Sequence, residues 1–205
     1  MGLQERKERE RSEMQEKVLK TAADIMKSKG IGAISIRKIA SKIEYSPAIV
    51  YHYFNDKEDI INHLVALKYQ QFFAVLSSSV LNGDNSEETL RQGLRRFINY
   101  ATEMGEEYKI ITLSESPAIL ARTSILHQGA VAEKPTVALL RNILKEILAD
   151  RNHDESRLEI LAQVIWASTF GLILRLIIEK VDEGQKELLT DAYINFVLSA
   201  LKEYK

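Results

Sequence analysis

The sequence predicts an all-α protein of about nine helices, and three observations support this fold class. Only 3 prolines and 9 glycines interrupt 205 residues, so few positions break a helix. Apolar residues in the long segments recur at helical spacing instead of alternating as they do in strands. Because 45% of the residues are hydrophobic, the chain can bury a core without disulfides or a structural metal.

The first predicted helix runs from Glu10 to Lys29, where Gly30 follows as a stop signal. A loop is expected over Asn82–Ser86. The segment Ser114–Lys134 contains Pro117 and Gly129, and we expect part of it to form a mobile connection. The remaining predicted helices cover residues 36–43, 47–53, 57–80, 87–104, 106–113, 135–149, 155–180 and 185–204.

The segment Ile160–Ile178 is nearly all apolar and long enough to resemble a membrane span. Gln163 and Arg175 interrupt it, and no flanking anchor residues follow the membrane pattern. A buried helix in a bundle and dimer interface is the better interpretation, with no membrane partner. Residues 5–7 are charged and no apolar run follows them, so we expect no signal peptide and a cytoplasmic location.

Charge is unevenly distributed along the chain. Residues 1–57 contain 12 Lys and Arg against 8 Asp and Glu, whereas residues 58–205 contain 16 against 21. A basic N-terminal part on an acidic remainder suggests that this part meets a polyanion, although the signal is weak by itself.

Residues 34–54 have the layout of two short helices around a tight turn. Ser35 is placed to cap the first helix, and Ser46-Pro47 is a strong start for the second, because proline lacks the N–H that this position leaves unpaired. The buried face of the first helix is predicted to comprise Ile36, Ile39, Ala40 and Ile43, leaving Arg37, Lys38 and Lys42 outside.

In the second short helix, Val50 and Phe54 are predicted to face inward. The outward residues near its N-terminus then lie where a recognition helix meets base edges. Ala48 and Ile49 could pack on a thymine methyl, and Arg37 could reach a guanine edge. The full set of predicted DNA contacts, to bases and phosphates, is Ser35, Arg37, Ser46, Pro47, Ala48, Ile49, Tyr51, His52, Tyr53 and Lys57.

These residues resemble the DNA-binding domain of the tetracycline-repressor (TetR) family. The resemblance lies in the Ser-x-Arg-x-Ile-Ala sequence at 35–40, the turn at Ser46, the aromatic run 50–54, and Lys57-Glu58 opening a long helix. It covers under a fifth of the chain. Two departures are Glu44, where the family usually has glycine at the turn, and Ile49, where it often has a polar residue.

The resemblance implies a dimeric repressor that binds operator DNA and is released by a small-molecule effector. It implies a DNA-binding domain over residues 1–56, of which 1–9 are expected to be flexible, and a helical ligand-binding and dimerisation domain over 57–205. The final helix is expected to pair with the 160–178 helix in a four-helix dimer interface. Packing in the core of the same chain is the competing explanation for part of its apolar face, which comprises Leu188 or Leu189, Ala192-Tyr193, Phe196-Val197 and Ala200-Leu201.

Aromatic and polar residues of the central helices are candidates to line the effector pocket, because pockets are mostly apolar with a few placed polar groups. For any single aromatic residue, ordinary core packing is the competing explanation. The effector is expected to be apolar or amphipathic. The candidates are Tyr69, Phe73, Met104, Tyr108, His127, Trp166, Thr169, Phe170 and Arg175, with Trp166 and Phe170 as the first choices.

The N-terminal tail admits two interpretations. Arg6, Lys7, Arg9 and Arg11 could form an arm that enters a minor groove. The glutamates interleaved with them instead favour a solvated helical extension with i,i+4 ion pairs.

An enzyme is the alternative of a different class, and the sequence argues against it. The four histidines, at positions 52, 63, 127 and 153, show no metal-binding spacing, and there is no glycine-rich phosphate loop or nucleophile elbow. The absence of cysteine excludes thiol catalysis and thiolate metal sites. We therefore expect no catalytic residues, metal or cofactor. A DNA-binding regulator without an effector, whose C-terminal domain serves only dimerisation or a protein partner, remains a second alternative.

Overall fold

The computed structural model describes residues 2–80, 85–149 and 154–204, except for the side chains of Leu3, Phe72, 75–80 and Ala118. All regular structure in these ranges is helical, which confirms the predicted class. The helices are α1 (Leu3–Lys29), a 3₁₀ turn (Ile31–Ala33), α2 (Ile36–Ile43), α3 (Pro47–Tyr53), α4 (Lys57–Val80), α5 (Ser86–Met104), α6 (Glu106–Thr112), α7 (Pro117–Thr123), α8 (Ala130–Glu133), α9 (Pro135–Ile147), α10 (Glu155–Ile178) and α11 (Glu183–Glu203).

The described helices exceed the predicted nine because the segment 114–134 contributes two short ones. α7 begins with Pro117 in its first turn, and α8 begins after Gly129, whose φ of 84° suits glycine. The loop predicted over Asn82–Ser86 lies largely outside the described residues; Asn85 caps α5 by accepting a hydrogen bond from the Glu88 amide.

α1 begins at Leu3, so the prediction of a helix start at Glu10 was wrong, while the expected flexibility of residues 1–9 stays a prediction. The first turns are held by ion pairs between Arg6 and Glu10, at 2.9 Å, and between Arg9 and Glu13, at 3.6 Å. These i,i+4 pairs confirm the helical-extension interpretation, because each places opposite charges one turn apart.

The chain forms two compact units. The first, called here the head unit, contains residues up to Lys68 together with Ile110–Arg122. Its core is built mainly from α1 to α4, and Ile39, Val50 and Ile60 are fully buried in it. The predicted functional division at residues 56 and 57 stays a prediction, whereas the compact unit extends further into α4.

The second unit, called here the body unit, contains Tyr69–Lys109 and the residues from Thr123 onward. α5, α9, α10 and α11 supply its core, with Phe97, Leu144 and Ile173 fully buried. α10 is long and apolar enough to cross a membrane by length and composition, which is weak evidence alone. Because Leu158, Trp166 and Leu176 pack in the core, α10 is consistent with a core helix of a soluble protein.

Candidate nucleic-acid interface and ligand cleft

α2 presents its basic side chains to solvent because its apolar stripe is buried. Ser35 occupies the N-cap position, and its hydroxyl accepts a hydrogen bond from the Lys38 amide at 3.3 Å. Ile36, Ile39, Ala40 and Ile43 are buried as predicted. Arg37, Lys38 and Lys42 are exposed, so their positive charge is available to a polyanion.

The turn after α2 takes the left-handed conformation at Glu44, with φ 62° and ψ 40°. Hydrogen bonds from the Tyr45 amide to Ala40 O (2.9 Å) and from the Glu44 amide to Ser41 O (3.4 Å) form a Schellman ending. A non-glycine residue in this conformation costs about 1 kcal/mol. The departure from the usual glycine therefore leaves the turn geometry intact at a small cost in stability.

α3 separates its inward and outward residues within two turns. Val50 and Phe54 are 0% and 1% exposed and fix the helix to the head core. The outward side carries Ile49, 38% exposed, and Tyr51, 58% exposed. Pro47, Ala48 and His52 are exposed as well, so an uninterrupted surface extends from the turn along the first two turns of α3.

Ser46 and Tyr53 are two further predicted DNA contacts in this region. Ser46 has the extended backbone of an N-cap, yet its side chain makes no capping hydrogen bond and the residue is exposed. Tyr53 is half-buried, and its ring packs edge-on against His52 with centroids 5.1 Å apart. Ser46 is thus available to a ligand, while Tyr53 offers only part of its surface.

The start of α4 carries the remaining predicted phosphate contact. The Asp59 amide donates to Asp56 Oδ1 at 2.7 Å, and the Asn55 amide donates to Asp59 Oδ2 at 2.9 Å, so the helix start is reciprocally capped. Lys57 is half-buried, with its Nζ 3.6 Å from a Glu58 carboxylate oxygen. A phosphate would compete with Glu58 for this ammonium group.

Sequence reasoning did not select Tyr45, which is 43% exposed in the turn directly before α3. The Lys17 Nζ lies 4.9 Å from the centre of its ring and 3.4 Å from Ile43 O. These contacts fix α1 beside the turn. An aromatic residue next to the Ser46-Pro47 helix start is the signal that could have drawn attention to it.

The body unit contains a small cleft between α5, α9 and α10. Its cavity volume is about 30 Å³, room for about two water molecules, with an envelope of about 370 Å³ that includes open solvent. No charged side chain belongs to this cleft, and its hydroxyl groups come from Thr89 and Thr136. The lining residues are Thr89, Leu90, Gly93, Leu94, Phe97, Thr136, Leu139, Leu140, Ile143 and Trp166.

An aromatic cluster fills the interior beside this cleft. The Phe97 ring lies edge-on to Trp166, Phe170 and Tyr108, with centroid separations of 4.7, 5.7 and 6.3 Å. Tyr69 reaches the cleft wall through a 3.0 Å hydrogen bond between its hydroxyl and that of Thr136. The structure therefore brings together four predicted effector residues: Tyr69, Tyr108, Trp166 and Phe170.

Arg175 and His127 lie away from the lining of this cleft. The Arg175 guanidinium is exposed and ion-pairs with Glu179, one turn along α10. His127 Nε2 lies 3.2 Å from a Glu133 carboxylate oxygen in a partly exposed pair. Arg175 does not line this cleft, because its position on α10 turns its side chain to solvent, and its assignment to an effector site stays a prediction.

The other predicted effector residues pack elsewhere in the body unit. Thr169 is fully buried, and its hydroxyl lies 2.7 Å from Ile165 O and 2.8 Å from the Tyr193 hydroxyl. Met104 packs at the edge of the core, and Phe73 is half-buried. Sequence reasoning missed cleft residues on the apolar stripes of α5 and α9, notably Phe97 and Leu140. The helical spacing of those apolar stripes is the pattern that could have predicted them.

α10 and α11 also display apolar side chains on their outer faces. Ile160, Val164 and Ile178 of α10 are 57%, 58% and 48% exposed, and Leu188 and Phe196 of α11 are 67% and 71% exposed. Ala192 and Ala200 are exposed too. Part of the predicted α11 face packs within its own chain, as the competing explanation expected: Val197 and Leu201 are buried in the body core, and Tyr193 is half-buried against α10.

Comparisons with known proteins agree with this arrangement. The family model of bacterial regulatory proteins of the tetR family matches residues 18–64, which include α2 and α3. No curated protein matches the chain in sequence.

Solved structures share the fold over nearly the whole chain at low sequence identity. A TetR-family transcriptional regulator from Syntrophomonas wolfei is 18% identical with a TM-score of 0.70, covering 93% of this chain and 95% of its own. A transcriptional regulator from Pseudomonas aeruginosa PAO1 is 14% identical with a TM-score of 0.70, covering 95% of each chain. The fatty acid degradation regulator FadR from Bacillus halodurans is 17% identical with a TM-score of 0.63, covering 90% and 94%.

Proposed function

We propose a function from the premise that this chain belongs to the TetR family of bacterial regulatory proteins and is a DNA-binding transcriptional regulator, not an enzyme. The protein is a cytoplasmic repressor. A small effector molecule releases this repressor from its operator DNA. The exposed N-terminal surface of α3, beside the basic face of α2, is the observation that carries this proposal.

The recognition surface is short, so each subunit reads few base pairs. Ala48 and Ile49 supply apolar contact for thymine methyl groups, and Arg37 supplies a bidentate donor for guanine. Ser46, Tyr51, His52 and Lys57 bind phosphates that hold α3 in register. Two such surfaces are needed for specificity, and in a two-fold dimer they engage half-sites about 34–36 Å apart.

Dimerisation covers the exposed apolar faces of α10 and α11. Large exposed apolar side chains on two helices of the same unit are typical of an interaction surface. Packing this pair against the same pair of a second subunit makes a four-helix interface.

The effector is an uncharged, mainly apolar molecule that binds beside Trp166 and Thr136. The cleft offers apolar walls and two threonine hydroxyls, and a buried charge would have no counter-ion there. The cavity of about 30 Å³ is too small for a typical ligand, so binding selects a conformation in which the cleft is wider.

Coupling runs through α4, whose residues 57–68 belong to the head unit and whose residues from Tyr69 belong to the body unit. Widening of the cleft displaces α4 and changes the separation of the two α3 helices. The coupling is reciprocal, so operator DNA weakens effector binding by the factor with which the effector weakens DNA binding.

The direct test is fluorescence anisotropy with labelled DNA from the promoter region beside the gene, titrated at several salt concentrations against unrelated competitor DNA. Arg37→Ala should relax sequence preference, whereas Lys57→Ala should weaken binding to all sequences and reduce the salt slope by about 1. If Arg37→Ala left affinity and preference unchanged, the assignment of base contacts would be wrong.

The small cleft favours a second candidate function, a DNA-binding regulator without an effector. A panel of uncharged apolar molecules, tested for release of the labelled DNA and for a rise in melting temperature, distinguishes the two. Release that depends on Trp166 supports the effector, because Trp166→Ala enlarges the cleft and changes its shape.

A further inference from the structure

The N-terminal extension of α1 carries its charges on separate faces. At 100° per residue, Lys7 and Arg11 fall within about 20° of the position of Val18, whose side chain is fully buried in the head core. The five glutamates of the extension, at 5, 8, 10, 13 and 16, all lie at least about 80° from that position. The core-facing side of α1 therefore continues past the core as a purely basic stripe.

No acidic side chain in the described part of the chain forms an ion pair with Lys7 or Arg11. Both are exposed, whereas Arg6 and Arg9 pair with Glu10 and Glu13. Like charges one turn apart on a helix repel each other. The stripe thus weakens α1 in the free protein, and an external polyanion would relieve that cost.

The position of the stripe is fixed by contacts farther along α1. Lys17 lies over the Tyr45 ring and donates to Ile43 O, so α1 passes the turn between α2 and α3 at that residue. Arg11 and Lys7 come six and ten residues earlier, about 9 and 15 Å along the helix axis. They project beyond the turn that leads directly into Ser46 and Pro47, the start of the recognition helix.

We propose that Lys7 and Arg11 bind phosphates of the DNA strand that borders the major groove occupied by α3. The inference rests on the proposed function and adds a second contact region to it. The major groove is about 12 Å wide, so a helix that extends about 15 Å past the recognition turn reaches its edge. Such contacts add affinity and hold the head in register without reading bases.

The test compares two double variants that change charge equally. Lys7→Gln/Arg11→Gln removes the stripe, and Arg6→Gln/Arg9→Gln removes the two paired cations from other faces of the same helix. Anisotropy is measured over a range of KCl concentrations with a duplex that the wild-type protein selects from random DNA, and with a scrambled duplex. The first variant should lower the magnitude of the salt slope by about 0.9 per lost phosphate contact, or about 1.8 per subunit.

The control pair should leave the slope close to that of the wild type. Far-ultraviolet circular dichroism separates binding from folding, because removing Lys7 and Arg11 relieves repulsion and should not reduce helicity. Equal loss of slope in both variants, or no loss in the first, would overturn the inference while leaving DNA binding by α3 intact. If the wild-type protein selected no duplex, the proposed function would fail and this inference with it.

Discussion

The indole Nε1 of Trp166 donates a hydrogen bond to the backbone carbonyl of Thr136 at 3.3 Å, and so joins α10 to the first turn of α9. The hydroxyl of the same threonine meets that of Tyr69 at 3.0 Å. One residue at the start of α9 is thus held from two sides, at the wall of the cleft. A ligand entering the cleft would disturb both hydrogen bonds.

Trp166→Phe should lower the free energy of unfolding by about 1–3 kcal/mol, because it removes this hydrogen bond and part of a buried ring. Urea denaturation measures the change. Thr136→Val is the control: it keeps the carbonyl that Trp166 uses but loses the Tyr69 contact. Unchanged stability in Trp166→Phe would contradict the role assigned to the indole nitrogen.

Glu44→Gly should raise the free energy of unfolding by about 1 kcal/mol, because glycine adopts a φ of 62° without a Cβ penalty. Thermal denaturation of the two proteins gives the difference. Glu44→Gln serves as the control for the lost charge and should leave the stability near that of the wild type. A gain of the same size in the glutamine variant would indicate electrostatic repulsion instead of backbone strain.

Leu188→Asp should convert the dimer to monomer, because it places a charge in the exposed face of α11 that we propose a second subunit covers. The matched control is Leu113→Asp, since Leu113 is 59% exposed and Leu188 67% exposed in this structure. Sedimentation velocity reports the oligomeric state of each. Dissociation by both substitutions, or by neither, would argue against an α10–α11 interface.

Gly171→Leu should also weaken the dimer, because the added side chain would occupy space that the second subunit fills in the proposed interface. Gly171 is exposed on the outer face of α10, and a Cβ built there meets nothing within 4 Å in the subunit. In an isolated subunit, replacing a mid-helix glycine stabilises the helix by about 1 kcal/mol. Melting at concentrations where the protein is monomeric should therefore show a gain, while the dimer dissociation constant rises at least about tenfold, a change of 1.4 kcal/mol. An unchanged dimer dissociation constant would place Gly171 outside the interface.

Glu155 should contribute a small pH-dependent stabilisation. A side-chain hydrogen bond from Lys145, together with the charges of Arg141 and Lys145, holds the pKa of this carboxyl below its ordinary value of 4.5. Because the folded-state pKa is the lower one, the stabilisation is present above pH 4.5 and is lost as pH falls through the lowered pKa.

Urea midpoints of wild type and Glu155→Gln, measured from neutral to acid pH, should therefore differ at neutral pH and converge below pH 4.5. Glu187→Gln is the control, because Glu187 is exposed and has no ion pair within the described residues. A difference between wild type and Glu155→Gln that persisted into acid would point to a cause other than ionisation.

Features that depend on interactions between residues close together in the sequence could be predicted best. Local signals identified α2, α3 and their caps, since Ser35, Pro47 and the Ile36–Ile43 stripe act within one or two turns. Glu44, at the position where the family usually has glycine, adopts the left-handed conformation that glycine favours. The start of α1 was placed too late in the sequence, because the highly charged segment before Glu10 was not recognised as helical. Ion pairs one turn apart within that segment continue the helix toward the N-terminus.

The cleft could not be predicted in the same way. α10 and α11 carry large apolar residues on both buried and exposed faces, and periodicity cannot say which apolar stripe of a helix meets a cleft and which meets the core. Phe97 was therefore missed, whereas Arg175 was included although its side chain points to solvent. The same ambiguity left open which residues of the α11 face pack in the core of their own chain, and Val197 and Leu201 are two that do.

Selection of bound duplexes from random DNA, followed by sequencing, tests the central claim most directly. A two-fold dimer that reads bases through α3 predicts enrichment of a palindromic sequence with half-site centres about 10–10.5 base pairs, or a small multiple, apart. The same selection with Arg37→Ala should lose the preference at one position of each half-site. Recovery of unenriched DNA, or of a single asymmetric site bound by one subunit, would contradict the account.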